Sequence, residues 1–276
     1  MDKKVAIQGE EASFHDIAAM KFFGPDIKRV CCKTFKDTFA AVKSGKATHA
    51  VCAIENSLYG SINETYDLLA KNDFAIIGEI YLRVKQCLIV LPGTKLKDIK
   101  EVCSHPVALA QCEEYLDKAL PSAERLEFHD TAASVEKVKG QQEKKVAAIA
   151  SSEAAELYGM EILAEEIETN KQNYTRFIVL ESPKEVIPGR NKTSLIIKTP
   201  HSPGALYRAL GAFAEHSINL SKLQSRPIVG DAWHYIFYVD VDAGSNDSAL
   251  TKALAELDKQ GCEIKLLGSY VAWPKP

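Results

Sequence analysis

The chain has 276 residues, of which 46% are hydrophobic and 26% charged, and its formal net charge is −3. That length is typical of two or three compact units, and the composition is that of an ordinary globular protein. The small net charge gives no electrostatic reason to expect binding to nucleic acid or to an anionic membrane.

The sequence shows no sign of a targeting segment, a membrane span or a metal motif. The first residues, Met1 to Gly9, contain a very short apolar run, and no later stretch approaches the roughly 20 apolar residues of a membrane helix. We therefore expect a soluble, cytoplasmic protein. Most of the seven cysteines lie in apolar runs, and none forms a CxxC pair or a zinc-spaced cluster with histidine. Buried thiols are expected, without a structural metal.

Short apolar strands alternate with capped helices through the first two thirds of the chain. Val5 to Ile7 predicts a strand, and Ser13 caps a helix that Gly24 ends. Further strands are predicted at Ala50–Ile54, Gln86–Leu91 and Val146–Ala150. Further helices are predicted to start at Ser61, at Ser104 as N-cap, at Asp130 or Thr131 (ended by Gly140), and at Ser151 (ended by Gly159). This alternation predicts an α/β architecture with a mostly parallel sheet.

Small polar residues follow the predicted strands, where α/β sheets bind their ligands. They are Ser13, Glu55-Asn56-Ser57, Ser104-His105, Thr131 and Ser151-Ser152. Several helix N-termini at one cleft favour carboxylate groups, because their unpaired N–H groups and dipoles attract anions. A small acidic ligand is therefore expected. Neither GxGxxG nor GxxxxGK[ST] occurs, which argues against dinucleotide and P-loop sites.

A linker and a second module follow. Residues 183–193 include two prolines and a glycine and have few apolar residues, which is typical of a linker. Beyond them the predicted elements are strands at Ser194–Lys198, Asn219–Gln224, His234–Asp242 and Ile264–Ala272, and helices at Pro203–His216 and Asp247–Gln260. The order βαββαβ predicts a ferredoxin-like module.

Five segments of the first part resemble the prephenate dehydratase family, and two segments of the second resemble an ACT domain. The first five are Ala53-Ile54-Glu55-Asn56-Ser57-x-x-Gly60, Ser104-His105-Pro106-x-Ala108-Leu109-Ala110-Gln111, Asp130-Thr131-Ala132-Ala133, Ala147-Ala148-Ile149-Ala150-Ser151 and Asn173-Tyr174-Thr175-Arg176-Phe177. The other two are Pro203-Gly204-Ala205-Leu206 and Gln224-Ser225-Arg226-Pro227. The resemblance implies a two-lobed, type II periplasmic-binding-protein-like catalytic domain at 1–182, the linker at 183–193, and an ACT regulatory domain at 194–276.

The resemblance also implies a reaction and a set of residues for it. Prephenate would become phenylpyruvate, water and CO2 in L-phenylalanine biosynthesis, without a metal or an organic cofactor. The implied catalytic residues are Thr175, Glu55, Asn56, Ser104 and Gln111, of which Ser104 and Gln111 are seven apart and are expected on one helix face. The implied substrate-binding residues are Arg176, Phe177, Ser57, His105, Thr131 and Ser13.

The roles of Thr175 and Arg176 stay open in the sequence. A threonine hydroxyl is too weak an acid to give up its proton unaided, so Thr175 is interpreted as a hydrogen-bond donor or relay, with Glu55 or His105 as the proton source. In a regular strand Thr175 and Arg176 point to opposite faces, so both reach one ligand only if Thr175 precedes the strand. Arg176 could instead form a buried ion pair between the lobes.

Two positions depart from the family pattern. Ala12 stands where the family has glycine, which limits positive φ and predicts a turn of another shape, leaving the role of Ser13 open. Gln224 replaces an acidic residue of the regulatory motif, which predicts a weaker contact with an ammonium group or a rearranged pair with Arg226 and leaves feedback by L-phenylalanine open.

Regulation and assembly are inferred from the resemblance as well. The residues implied for binding L-phenylalanine are Gly204, Ala205, Leu206, Gln224, Ser225 and Arg226, at an interface of a homodimer or homotetramer. Arogenate dehydratase activity and a non-catalytic sensor of amino acids or small acids are the alternatives. No preceding helical domain is evident in the sequence, so fused chorismate mutase activity is not expected.

Overall fold

The computed structural model of the protein describes residues 3–181, 190–228 and 230–276. Residues 183–189 of the expected linker lie outside the described residues. Contacts divide the chain into two compact units, one of residues 1–62 and 80–177 and the other of residues 63–79 and 178–276. The division falls inside two strands, so each unit consists of two separate segments of the chain.

Through residues 3–181, strands and helices alternate over most of the chain, as the sequence pattern predicts, although some strands follow one another directly. The strands are β1 (Lys4–Gln8), β2 (Lys28–Cys32), β3 (His49–Asn56), β4 (Gly60–Ser61), β5 (Ala75–Arg83), β6 (Cys87–Val90), β7 (Glu101–Ser104), β8 (Glu124–Glu127), β9 (Val146–Ala150), β10 (Glu161–Ala164) and β11 (Tyr174–Glu181). The helices are α1 (Phe14–Phe23), α2 (Phe35–Lys43), α3 (Asn63–Lys71), α4 (Pro106–Gln111), α5 (Glu113–Ala119), α6 (Thr131–Gln141) and α7 (Ser152–Tyr158).

These strands form two mixed sheets rather than the mostly parallel sheet that the alternation predicts. The first has the order β2-β1-β3-β11-β5, with β1 parallel to β2 and β3, and with β4 antiparallel to β3. The second has the order β10-β6-β9-β7-β8, in which β6 runs antiparallel to β9 and β10. Three residues join β5 to β6. A connection of this length is too short to be the crossover, usually a helix, that joins successive parallel strands of one sheet.

The second sheet is covered on both faces, as the continuous apolar run in β9 requires. Ala147 and Ile149 belong to one buried cluster, together with residues of α4 and α5. Val146, Ala148 and Ala150 belong to another, together with residues of α6 and α7. Successive side chains of a strand point to opposite faces, so a strand buried on both sides has no polar alternation.

The predicted helix boundaries at Ser61 and Gly140 are wrong. Ser61 does not cap a helix, because it pairs with Glu55 as part of β4, and α3 begins at Asn63. Gly140 does not end α6, because the helix continues to Gln141 and the left-handed residue that ends it is Gln142, with φ 55°. A long polar side chain thus occupies a position where glycine is the usual choice.

The C-terminal module has the predicted βαββαβ order, and all its strand pairs are antiparallel. The elements are β12 (Lys192–Lys198), α8 (Ala205–Glu215), β13 (Leu220–Ile228), β14 (Asp231–Val241), α9 (Ser248–Lys259) and β15 (Glu263–Tyr270), and the sheet order is β13-β14-β12-β15. Leu195, Ile197, Phe213, Leu250 and Leu257 are central to its core. The first strand begins two residues before the predicted position.

Residues 63–79 pack with this module, although the sequence places them in the first domain. The Tyr238 hydroxyl donates to the carbonyl oxygen of Tyr66 at 2.6 Å. The Lys265 ammonium donates to carbonyl oxygens near the end of α3, including that of Asn72 at 2.6 Å. A buried ion pair joins Lys192 to Glu79 at 2.9 Å. The helix α3 therefore belongs to the second unit by its contacts.

Among the helices that the structure describes, none has both the length and the apolar character needed to cross a membrane.

Candidate active site

The Asn56 side chain lies at the centre of a hydrogen-bond network at the carboxyl end of β3. Its Oδ1 accepts from the backbone N–H groups of Leu58 and Tyr59 at 2.9 and 3.1 Å. Its Nδ2 donates to Asn173 Oδ1 at 2.8 Å and to Thr175 Oγ1 at 3.0 Å. The two backbone donors fix which side of the amide is oxygen, so the orientation of the whole network is determined.

Thr175 is the second residue of β11 and is buried. Its oxygen accepts from Asn56, and within the described residues this is the one hydrogen bond of its side chain. The hydroxyl hydrogen of Thr175 is thus available to an additional acceptor. A hydroxyl offers one donor and two acceptor sites, so accepting from Asn56 leaves the donor unused.

Asn173 precedes β11 and is completely buried. Its Oδ1 is occupied by Asn56, whereas its Nδ2 has no hydrogen-bond partner among the residues that the structure describes. Its backbone oxygen accepts from Val84 N–H at 2.8 Å, which ties this segment to the connection between β5 and β6. Asn173 is the first residue of the motif Asn173-Tyr174-Thr175-Arg176-Phe177, and the sequence by itself predicts no role for it.

Thr175 lies inside β11 and not in the turn before it, so Thr175 and Arg176 do not face the same side of the strand. Alternation along β11 directs Arg176 away from the face that carries Thr175 and Phe177. Arg176 is buried, and Phe177 packs edge-on against the His15 ring with centroids 5.0 Å apart. The strand therefore presents Thr175 and Phe177 together and Arg176 separately.

Ser57 connects the end of β3 to the start of β11. Its hydroxyl donates to the Gln172 carbonyl at 2.7 Å and accepts from the Tyr174 N–H at 2.9 Å. Its own N–H donates to the Tyr174 carbonyl at 2.8 Å. The hydroxyl hydrogen is therefore committed to backbone, and Ser57 positions Asn56 and Thr175 relative to each other.

Ser104 does not cap α4, and it does not share a helix face with Gln111. It is the last residue of β7, and its buried hydroxyl donates to the Ile149 carbonyl at 2.6 Å. His105 is the N-cap, with φ −61° and ψ 140°, and its Nδ1 accepts from Val107 N–H at 3.3 Å. Pro106 is the first helical residue and forces the residue before it to be extended, which makes that residue the cap.

Gln111 is a buried residue at the end of α4. Its Oε1 accepts from Gln86 Nε2 at 3.3 Å, and its backbone oxygen accepts from Thr169 N–H at 2.8 Å. Gln86 lies between β5 and β6, and its backbone N–H donates to the buried carboxylate of Glu168 at 2.9 Å. Gln86 and Glu168 are buried polar residues that the sequence does not single out, because a single sequence offers no spacing signal for either.

The turn before α1 keeps a left-handed residue despite the alanine. Ala12 has φ 63°, so the expected change of turn shape is wrong. Its N–H donates to Asp16 Oδ2 at 2.8 Å and its carbonyl accepts from Ser151 Oγ at 2.8 Å. These bonds offset the steric cost of the conformation, roughly 1–2 kcal/mol. Ser13 caps α1, accepting from Asp16 N–H at 3.4 Å.

His15 follows in the same helix and is held as a neutral base. Its Nε2 accepts from the Ala53 N–H at 3.2 Å, beyond the point where β1 stops pairing with β3. Burial lowers the pKa of His15 to about 3. The imidazole thereby replaces a backbone acceptor that the sheet no longer supplies.

Thr131 is the first residue of α6, and Asp130 is its N-cap, accepting from Ala133 N–H at 2.9 Å. Burial raises the pKa of Asp130, and burial lowers the pKa of His105. Gly9 has φ 92°, and a Cβ placed on it would collide with the Asp130 carboxylate. That position therefore requires glycine on both conformational and steric grounds.

The predicted residues of the first unit thus separate into two groups. Asn56 and Thr175 are directly bonded, with Ser57 joining their strands, and Glu55 precedes Asn56 in β3. Arg176 and Phe177 lie with Thr175 on β11. Among the described contacts, none is a side-chain hydrogen bond from the remaining predicted residues to Asn56 or Thr175. These remaining residues lie on other elements and are Ser13, Ser104, His105, Gln111 and Thr131.

The residues predicted to bind L-phenylalanine also separate. Ala205 and Leu206 line a cavity of about 360 Å³ in the second unit, together with His201, His234 and Phe237 among others. Gly204 is the left-handed N-cap of α8, and Ser225 follows Gln224 in β13.

Arg226 has a partner on α3. Its guanidinium forms a bidentate pair with the Asp67 carboxylate at 2.9 and 3.0 Å. Gln224 donates to the Ser225 carbonyl at 3.0 Å. Asp67 thus supplies an acidic partner for Arg226 from outside the motif.

Among the residues that the structure describes, no three His, Cys, Asp or Glu side chains are grouped closely enough to hold a metal ion.

Comparison with known proteins identifies the class. A family model for prephenate dehydratase matches residues 5–185, and a model for the ACT domain matches residues 193–259. The chain is 37% identical to the bifunctional chorismate mutase/prephenate dehydratase of Aquifex aeolicus, over 97% of this chain and 73% of that protein. It is 38% identical to arogenate dehydratase 2 of Petunia hybrida, over 97% of this chain and 71% of that protein.

Two solved structures match nearly the whole chain. One is GqqA, described as a novel type of quorum-quenching acylase, with a TM-score of 0.89, 34% identity and 99% coverage of both chains. The other is the prephenate dehydratase of Arthrobacter aurescens in complex with L-Phe, with a TM-score of 0.88, 32% identity, and coverage of 97% and 90%.

The chain belongs to the prephenate dehydratase family, with an ACT regulatory domain at its C-terminal end. The fold class that the sequence predicted, an α/β periplasmic-binding-protein-like catalytic part followed by a ferredoxin-like ACT sheet, is confirmed.

Proposed function

We propose that the chain converts prephenate to phenylpyruvate, releasing CO2 and water. Support comes from the family model over residues 5–185 and from the network around Asn56. Prephenate is a dianion whose ring becomes aromatic as its carboxylate leaves as CO2 and its hydroxyl leaves as water. The reaction is strongly downhill, so the protein has to orient the substrate and assist one leaving oxygen.

The hydroxyl of Thr175 is the observation that carries this proposal. Asn56 donates to its oxygen, which fixes the hydroxyl's position and leaves its hydrogen for a substrate oxygen. Loss of a donor at a developing oxyanion typically lowers kcat by roughly 10²–10³-fold. Orientation of a bound substrate can supply up to about 7–11 kcal/mol more. Together these effects can suffice without redox or carbanion chemistry.

The departing hydroxide needs a proton from a stronger acid than threonine. Of the two candidates, His105 is held neutral by the burial that lowers its pKa, and its Nδ1 is occupied as an acceptor. A neutral imidazole is a poor acid at pH 7. Glu55, which precedes Asn56 in β3, is the other proton source that the motif implies, and its position beside the network is what supports it.

Prephenate carries a keto group where arogenate carries an ammonium group. Relatives named for the two activities have similar sequence identities to this chain. The decisive experiment measures kcat/KM for both substrates side by side, following phenylpyruvate and phenylalanine formation. Higher kcat/KM for prephenate is expected. Higher kcat/KM for arogenate would reassign the substrate. Binding of either without turnover would instead support the sensor alternative.

A second candidate is acylase activity, favoured by the likeness to GqqA over 99% of both chains. Release of a free amine from an N-acylated substrate would be measured with the same preparation. We expect prephenate turnover to exceed it by several orders of magnitude. If amine release dominates, and Thr175→Val abolishes it, the network around Asn56 serves hydrolysis and the dehydratase proposal fails.

We infer that L-phenylalanine regulates the enzyme through the second unit. The support is the ACT match, the L-Phe complex of the Arthrobacter aurescens protein, and the cavity beside Ala205 and Leu206. Calorimetric titration of the intact protein with L-phenylalanine should show saturable binding, and Ala205→Leu, which fills the cavity, should weaken it at least tenfold. Unchanged affinity in that variant would move the effector site elsewhere.

We also propose that the protein assembles as a homodimer or homotetramer through its ACT module. ACT sheets pair with their own copies, and symmetric pairing is the commonest oligomeric arrangement. Light scattering after size exclusion, with and without L-phenylalanine, measures the mass directly. A monomer at all concentrations would refute this proposal.

A further inference from the structure

An unpartnered amide group stands beside Thr175. Asn173 is completely buried, and its Nδ2 has no hydrogen-bond partner among the described residues. A buried amide N–H that binds nothing costs roughly 1–3 kcal/mol, so nearly all such groups in native proteins have a partner. The partner of this group is an ordered water or a ligand atom, and its position beside the Thr175 hydroxyl favours the ligand.

The orientation of this amide follows from backbone donors rather than from a choice of rotamer. Leu58 and Tyr59 donate their N–H groups to one side of the Asn56 amide, which makes that side Oδ1 and the other Nδ2. Asn56 Nδ2 then needs an acceptor, so the Asn173 atom 2.8 Å away is Oδ1. The unpartnered atom of Asn173 is consequently Nδ2, a donor of two hydrogens.

The donors of Asn173 and Thr175 are close together because one nitrogen binds both side chains. Asn173 Oδ1 and Thr175 Oγ1 lie 2.8 and 3.0 Å from Asn56 Nδ2, so they are at most about 6 Å apart. This limit applies to the two oxygens, and the donor Nδ2 is the other atom of the same Asn173 amide, roughly 2 Å from Oδ1, so the two donors lie within about 8 Å of each other. They converge on one substrate oxygen where they stand less than about 6 Å apart. An oxygen that gains negative charge as its bond breaks is stabilised by each such donor.

We propose that Asn173 is a catalytic residue whose Nδ2 donates, together with the Thr175 hydroxyl, to the leaving hydroxyl oxygen of the substrate. This inference rests on the proposed dehydratase function. It assigns Asn173 two separate tasks, since Oδ1 holds Asn56 in place while Nδ2 contacts the reacting oxygen. The two tasks can be separated by substitution.

The test compares Asn173→Asp with Asn173→Ala. Aspartate keeps an acceptor for Asn56 but has no donor at neutral pH, whereas alanine loses both. The matched control is Asn170→Asp, which makes the same substitution in the same loop at an exposed residue whose Oδ1 accepts from Gln172 N–H at 2.8 Å. Circular dichroism and melting temperature establish that each variant is folded.

We expect Asn173→Asp to lower kcat for prephenate by roughly 10²–10³-fold at pH 7.5 while Asn170→Asp stays within twofold of wild type. The Asn173→Asp variant should regain activity as pH falls, because a protonated carboxyl can donate again. Near-wild-type kcat in Asn173→Asp with a large loss in Asn173→Ala would overturn the proposal, since Asn173 would then act only by holding Asn56. A loss confined to KM, or no recovery at low pH, would overturn it as well.

The design also separates this inference from the proposed function. If wild type converts prephenate and Asn173→Asp is also active, the proposed role of Asn173 is rejected, whereas the proposed dehydratase function is retained. If wild type shows no turnover, the dehydratase proposal fails, and calorimetric binding of prephenate decides whether Asn173 contacts the ligand. At least tenfold weaker binding by Asn173→Asp supports the contact, and equal affinity, or no binding by wild type, rejects it.

Discussion

Replacing Thr175 by valine removes one oxygen atom and leaves almost the same side-chain shape in β11. The change withdraws the acceptor that Asn56 Nδ2 uses at 3.0 Å and the donor that we assign to the leaving oxygen. Thr175→Ser is the matched control, because serine keeps the hydroxyl and loses only the methyl group.

The structure sets different magnitudes for activity and for stability. Without the donor, kcat should fall by roughly 10²–10³-fold, equivalent to about 2.7–4 kcal/mol of transition-state stabilisation. The free energy of unfolding should fall by only about 1 kcal/mol, because Asn56 is half-buried and water can reach the hydrogen it leaves unpaired. Thr175→Ser should retain kcat within about tenfold on the same reasoning.

The assay follows phenylpyruvate formation from prephenate across substrate concentrations, so that kcat and KM are obtained separately. KM should change little, since the contact strengthens as the C–O bond breaks. If Thr175→Val keeps kcat within threefold of wild type, the hydroxyl does not assist the leaving group. If KM alone rises, the hydroxyl binds substrate without assisting departure.

Two further predictions concern stability. Glu79→Gln or Lys192→Met alone leaves one buried charge without its partner and should lower the free energy of unfolding by roughly 3–5 kcal/mol in urea titrations. The double variant Glu79→Leu/Lys192→Met removes both charges and should recover most of that loss. An equal loss in the double variant would contradict this prediction. The pKa of His15 is about 3 in the folded protein and about 6.5 in the unfolded chain. Its contribution to the free energy of unfolding is therefore complete above about pH 6.5. Below that pH the unfolded chain binds the proton first, and the contribution falls by up to about 1.4 kcal/mol per pH unit. The stability difference between wild type and His15→Asn should therefore shrink between pH 6 and pH 4.5, and a constant difference would refute the assignment.

Local signals account for much of what the sequence revealed. Ser13, Asp130 and Ser151 each cap the helix that their residue types predict, because capping needs only a short polar side chain at the right offset. The apolar runs predicted the buried strands, and the βαββαβ order predicted the ACT module. Motif resemblance then placed Asn56 and Thr175 in one site, although 119 residues separate them.

Features that depend on long-range contacts could not be read from the sequence. The direction of β6, which makes the second sheet mixed, depends on how the chain enters that sheet. The packing of α3 with the ACT module depends on bonds such as that from Lys265 to Asn72, formed over 193 residues of chain. Local patterns do not indicate which distant segments will meet. The entropic cost of closing a loop rises only slowly with its length, so many long-range pairings cost a similar amount.

The site itself shows the same division. The sequence by itself determined which residue types gather at the carboxyl ends of the strands, because motifs and caps are local. Only the tertiary structure decided that Ser104 bonds backbone, that Ala12 keeps a left-handed turn, and that Asn173 offers an unpaired donor beside Thr175. The physical reason is that hydrogen-bond satisfaction is a property of the neighbours a side chain meets in space, and those neighbours come from distant parts of the chain.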